Sequence, residues 1–173
     1  MAPEDSPQRP PASLAVEIVD FTDALATEFH DINAAWITAM FTLEPADREV
    51  LQNPRARIID PGGAILFART AALGVVGTCA LQRTGPGAYE LTKMGVRETA
   101  RGLKVGERLL DAVLQRARAM GAEKLYLLTS RRCEAAIHLY EKAGFVHDPE
   151  IKATYGARYA RCDVAMLYPA DRL

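Results

Sequence analysis

The chain is 173 residues long, enough for one domain with a substantial core. Its hydrophobic content of 49% and charged content of 25% are ordinary for a globular protein, and a net charge of −1 does not suit a general nucleic-acid binder. The cysteines Cys79, Cys133 and Cys162 are too few and too scattered for a disulfide framework, no apolar run is long enough to span a bilayer, and the N-terminus lacks a secretion signal. A cytoplasmic protein working away from nucleic acid and membrane is therefore expected.

Residues 1–13, "MAPEDSPQRPPAS", are Pro-rich and polar and read as a disordered lead-in to a single domain over residues 14–173. "LAVEIVDF" alternates and predicts the first strand. In the helical stretch that follows, Phe29, Ile32, Trp36 and Met40 recur at helical spacing, with Thr22 or Asp23 as N-cap. Pro45 and the acidic residues after it open a second helix. "GGAILFART" and "LGVVGTCALQR" predict two strands joined by a short turn, and "AYELTKMGV" a third after the "TGPG" break. An amphipathic helix is predicted from about Leu103 to Met120 and stopped by Gly121; "EKLYLLTS" reads as a central strand, and "EAAIHLYEKAG" as a shorter helix. "FVH" begins a strand or turn, "ATYGARYA" reads as a polar, aromatic loop and "RCDVAMLY" as the closing strand. The order is that of an α/β fold with an antiparallel part, that is, α+β.

The handover from "TKMGV" to the long helix is rich in Gly and cations. A helix N-terminus offers unpaired amides and partial positive charge, Gly102 and Gly106 permit close backbone approach, and Arg101 and Lys104 add full charge. Together they make a phosphate cradle. The same pattern also suits a plain strand-to-helix turn with a solvated basic rim, and this stretch alone does not choose between the two. A Walker loop is excluded because Glu107 and Arg108 follow Gly106. A dinucleotide site is excluded because the next strand ends in Leu128, Thr129 and Ser130 without a ribose-binding carboxylate.

Arg101, Gly102, Leu103, Lys104, Val105 and Gly106 resemble the [RQ]-x-x-G-x-[GA] signature of the GCN5-related N-acetyltransferases, matching at Arg101 and Gly106 with Lys104 in place of the middle glycine. A second element, "AAIHLYEKAGF", resembles that family's A-x-x-L-Y-x-K-x-G-F. The two stand in the family's order, and the resemblance runs from Leu14 to Tyr168. It implies a mixed, mostly antiparallel sheet of six to seven strands, splayed between strands 4 and 5 and flanked by about four helices. It also implies acetyl-CoA as acyl donor, no metal, and transfer of the acetyl group to a primary amine of a small molecule or peptide by direct attack in a ternary complex. A homodimer is allowed. The other class of function consistent with the same cradle is a non-catalytic acyl-CoA sensor.

By resemblance, phosphates contact residues 101–106, and the pantetheine arm pairs with the backbone at Met94, Gly95 and Val96. Glu90 takes the place of the general base, the Met94 N–H that of the oxyanion donor, and Tyr140 that of the general acid. Ser130 stands near where relatives carry a cofactor-binding Asn. If position 104 is already helical, Lys104 is harmless there, and that is the expectation. Asn33, Trp36 and Phe41 are candidates for one wall of the acceptor pocket, and Tyr155, Arg158 and Tyr159 for the other. His30, His138 and His147 make no metal-ligand spacing, and Cys133 reads as a plain small residue. The stretches around Trp36 and Ile59 also resemble the acetyltransferase half of some winged-helix regulators, but no DNA-binding role carries over.

Overall fold

The structure is a computed structural model that describes residue 9 and residues 11–173. The expected lead-in falls largely outside the described residues. Its described end forms a 3-10 turn at Ala12–Leu14, and the Ala72 N–H donates to the Ser13 carbonyl at 2.9 Å.

Strand β1 (Glu17–Asp20) leads through a 3-10 turn (Asp23–Leu25) into helix α1 (Ala26–Met40). Thr22 takes the N-cap position of that turn but makes no capping hydrogen bond. Helix α2 (Pro45–Gln52) starts with a reciprocal cap between Glu44 and Asp47 and with Pro at its first turn. A π-helical turn at Arg55–Ile59 follows. Strands β2 (Ala64–Thr70), β3 (Gly74–Gly85) and β4 (Ala88–Val96) form a meander. Helix α3 (Val105–Ala119) then crosses to β5 (Lys124–Thr129), which runs parallel to β4. Helix α4 (Glu134–Ala143), β6 (Val146–His147), α5 (Pro149–Tyr155) and β7 (Val164–Leu167) complete the chain. The sheet has seven strands in the order β1-β2-β3-β4-β5-β7-β6, and β4–β5 is its parallel pair. No helix among the described residues is long and apolar enough to cross a membrane.

Both faces of the sheet are covered, as the near-continuous apolar runs of β2 and β3 require. Leu66, Ala68, Cys79 and Leu81 meet α3 through Leu109, Leu110 and Val113. Ile65, Phe67 and Ala80 meet α1 and α2 through Phe29, Ile37, Val50 and Leu51. Burying a side chain such as Phe29 or Phe67 completely contributes roughly 1.5–3 kcal/mol.

Two expectations need correcting. The segment read as a loop, residues 153–160, begins inside α5, which starts earlier because Asp148 accepts from the Ile151 N–H at 3.0 Å and Pro149 presets the first turn. The Tyr155 ring stacks on Tyr126 with centroids 4.2 Å apart and pins the far end of that helix to β5. Lys104 is not helical. It is the N-cap of α3 with φ 56° and ψ 35°, in the left-handed region where the family signature has glycine.

Candidate active site

Two departures from regular pairing open the site. On β3 the register moves from Thr78 to Ala80, while on β4 the facing residues move from Gly95 to Thr92, so Lys93 and Met94 form a bulge without β3 partners. Lys93 carries the bend at φ 52°. Helix α1 lies directly on it: a Cβ on Gly95 would stand 2.7 Å from Trp36 Cδ1 and 2.9 Å from Ile32 Cγ2, so only glycine fits. On its other side β4 pairs with β5 only from Ala88↔Lys124 to Leu91↔Leu127. β5 then continues along β7, and the edge of β4 beyond Leu91 faces open space.

A cavity of about 390 Å³ fills this opening. Glu90, Met94, Gly95, Val96, Ser130 and Tyr140 line it, and so do Trp36, Phe41 and Tyr159. Glu90 is 1% exposed; its Oε2 accepts from Arg158 Nη1 at 2.7 Å, and its Oε1 has no partner among the described residues. Burial raises the Glu90 carboxyl above the ordinary carboxylate range, while Arg158 and Lys93 oppose that rise. The Tyr140 hydroxyl donates to Met94 Sδ at 3.7 Å, and burial raises its pKa so that the proton is held throughout the neutral range. Burial pushes the Cys162 thiol, also in the wall, up to about 11.

At one end of the cavity lies a buried ionic cluster. Lys93 Nζ donates to Asp47 Oδ1 at 2.8 Å and to the Tyr159 hydroxyl at 3.1 Å. Arg161 forks onto both Asp47 oxygens at 2.6 and 2.7 Å and reaches Glu44 Oε2 at 3.1 Å. Burial alone would raise Asp47, but Arg161 and Lys93 outweigh it and lower its pKa to about 2.

At the other end is the mouth of α3. Gly102 adopts φ 82°, and a Cβ there would meet nothing within 4 Å, so the turn faces free space. The N–H groups of Arg101 and Leu103 are committed to the carbonyls of Glu98 and Ala100. Those of Val105 and Gly106 lie in the first turn of α3, where helix geometry supplies no partner and Lys104 makes no side-chain cap. Gly106 also admits the neighbouring helix, since its Cβ would stand 3.2 Å from Leu139 Cδ2. The arrangement suits a diphosphate on backbone amides with Arg101 beside it.

The sequence model of the Acetyltransferase (GNAT) family matches residues 24–145, which include β4, α3, β5 and α4. The chain belongs to the GNAT acetyltransferase family. It is 32% identical over 105 residues to an uncharacterized N-acetyltransferase of Schizosaccharomyces pombe, an alignment covering 60% of this chain and 64% of that one. It spans less than half the length of other curated relatives that it matches. Among solved structures, a GNAT acetyltransferase from Staphylococcus aureus Mu50 superposes with a TM-score of 0.79 at 21% identity, covering 89% of this chain and 98% of that one. A PaiA N-acetyltransferase from Thermoplasma acidophilum in complex with coenzyme A gives 0.68 at 15% identity, covering 89% and 98%. The GNAT fold expected from the two motifs, with its sheet splayed between strands 4 and 5, is the fold observed.

Within this GNAT frame the candidate residues separate. Residues 101–106 stand outside the cavity, at the mouth of α3. Ser130 Oγ accepts from the Arg132 N–H at 3.2 Å and so shapes the turn into α4. Asn33 is fully buried and does not reach the cavity; it accepts from Trp36 Nε1 at 2.9 Å and fixes that ring in the wall. Tyr155 faces Tyr126, and Arg158 acts from behind Glu90, also donating to Gln82 at 3.0 Å. The sequence reading missed Lys93, Asp47, Arg132 and Arg161. They come from four separate segments; charge in a largely apolar strand could have marked Lys93, while Asp47 stands among other charged residues and carried no such signal. Among the described residues no group of three or more His, Cys, Asp or Glu is placed to hold a metal ion.

Proposed function

We propose that the protein transfers the acetyl group of acetyl-CoA to a primary amine by direct attack. The observation that carries this reading is the meeting, in one cavity at the parting of β4 and β5, of a buried carboxylate with a free oxygen and a buried, protonated tyrosine. The diphosphate rests on the first turn of α3, and the pantetheine arm runs along the unpaired edge of β4 like an added strand. The amine gives a proton to Glu90 Oε1, directly or through a water, and its lone pair forms the new C–N bond at the thioester carbonyl. The Met94 N–H, in the bulge, receives the charge on the carbonyl oxygen. Collapse of that intermediate breaks the C–S bond, and Tyr140 supplies the proton that leaves with the coenzyme A thiol.

The test is a titration with acetyl-CoA followed by release of free thiol with a panel of amines. Saturable binding with amine-dependent release is expected. Tyr140→Phe should lower turnover at least tenfold with little change in acetyl-CoA affinity. A protein that binds no acetyl-CoA, or a Tyr140→Phe variant with full turnover, would contradict the proposal at its first or its last step.

A further inference from the structure

We propose that the acceptor amine also carries a carboxylate and that Arg132 receives it; this rests on the transferase reading above. The argument is a charge inventory of the acceptor end of the cavity. Four cations gather there around two aromatic rings. Lys93 Nζ stands 4.3 Å, Arg161 4.8 Å and Arg158 5.6 Å from the Tyr159 ring, and Arg132 lies over Phe41 at 4.7 Å. Three of them have counter-charges. Lys93 and Arg161 share Asp47, Arg161 also meets Glu44, and Arg158 holds Glu90. Arg132 has none: among the described residues its guanidinium makes no ion pair and no hydrogen bond, and it lies over the Phe41 ring. It reaches from the turn before α4 to the C-cap of α1, across the rim of the cavity that both residues line.

The available carboxylates point the same way. Asp47 is sealed at 0% exposure; its Oδ1 accepts from Lys93 and Arg161, and its Oδ2 from Arg161 and the Glu44 N–H. It can accept nothing from a ligand. Glu90 has one oxygen left, which the reacting amine takes. Glu134 also lines the rim but sits in the first turn of α4, where the helix dipole attracts it, and it makes no ion pair with Arg132. A second ammonium on the acceptor, as in a polyamine, would meet Lys93, Arg132 and Arg161 with no enclosed carboxylate to receive it. A carboxylate would find a forked, unpaired guanidinium already placed over an aromatic ring.

The experiment compares matched amines with and without the carboxylate: phenylalanine with phenethylamine, methionine with 3-(methylthio)propylamine, and β-alanine with ethylamine. Each is assayed by thiol release on the wild-type protein and on Arg132→Gln. Arg132 is exposed, so the fold does not depend on it. For at least one pair the acid should be preferred tenfold or more in kcat/KM. Arg132→Gln should raise KM for that acid about tenfold or more, leave its decarboxylated partner unchanged, and leave acetyl-CoA affinity unchanged. Equal or better use of every decarboxylated amine overturns the inference while leaving the transferase reading in place. So does an Arg132→Gln variant that keeps the preference or loses acetyl-CoA affinity instead. Silence from every amine on a protein that binds acetyl-CoA overturns the transfer reading and this inference together.

Discussion

Glu90 works under two opposed influences. Its seat on β4, 1% exposed, favours the neutral acid, and the Arg158 guanidinium at 2.7 Å favours the carboxylate. The outcome is a group whose pKa lies above the ordinary carboxylate value and so closer to working pH, which suits a general base. The rate should therefore rise with pH along a limb set by Glu90, and Glu90→Gln should lower kcat by about a hundredfold or more. Arg158 donates from behind and does not line the cavity, so its part is to position and tune the base. Arg158→Gln removes the stronger of the two cations that lower the pKa. Its acid limb should move to higher pH, with kcat near wild type on the alkaline plateau. A profile from pH 5 to 9 on both proteins measures this; a limb that stays put or moves towards acid would place Arg158 outside the tuning of Glu90. From sequence, Glu90 could be placed only through the family resemblance, by counting back along the strand from Val96. Its partner 68 residues later could not, because Arg158 was read as an element of the pocket wall.

Among the elements, the turn into α3 shows where motif reading stops. Its position, its glycines and the helix after it were all legible, because strand period, breaker residues and helical period change over within ten residues. The conformation of Lys104 was not. The helix pattern permits a start at position 104 or 105, and the two differ only in the φ and ψ of one residue. A non-glycine residue in the left-handed region costs about 1–2 kcal/mol, part of which glycine would give back through the greater freedom of its unfolded chain. Lys104→Gly should thus change stability by no more than about 1 kcal/mol, in the stabilising direction, read from the urea midpoint. The same substitution removes a charge beside the turn proposed to hold the diphosphate, so acetyl-CoA affinity should fall severalfold, and more at low salt than at high. A variant that is both more stable and binds better would mean that the lysine charge does not face the phosphates. The short helix α5 was missed for a related reason. Seven residues carry too little periodicity to stand out from a polar, aromatic loop, and the Tyr155–Tyr126 stack that anchors them is a tertiary contact.

Across the whole molecule, the Lys93–Asp47–Arg161 cluster joins parts of the chain that the sheet does not tie together: the start of α2, the β4 bulge and the segment before β7. It lies at one end of the cavity and fixes the left-handed Lys93 that makes the bulge. Its energetic signature is the Asp47 carboxyl, lowered from 3.8 to about 2 although burial alone would raise it. A group whose folded pKa lies below its unfolded value binds fewer protons in the folded state. Its contribution to stability is complete above about pH 4 and is lost as pH falls towards 2. The size is on the order of 2 kcal/mol. Other carboxylates titrate in the same window, so the wild-type curve alone does not isolate it, but Asp47→Asn does. That variant leaves two buried cations without their shared anion and should lose about 3–5 kcal/mol at pH 7. Between pH 4 and 2 it should lose less further stability than the wild type, by the order of 2 kcal/mol, so the two denaturation midpoints converge in acid. Parallel curves would mean that the cations hold Asp47 no more tightly than water does, and that packing alone keeps the bulge and this end of the cavity in shape.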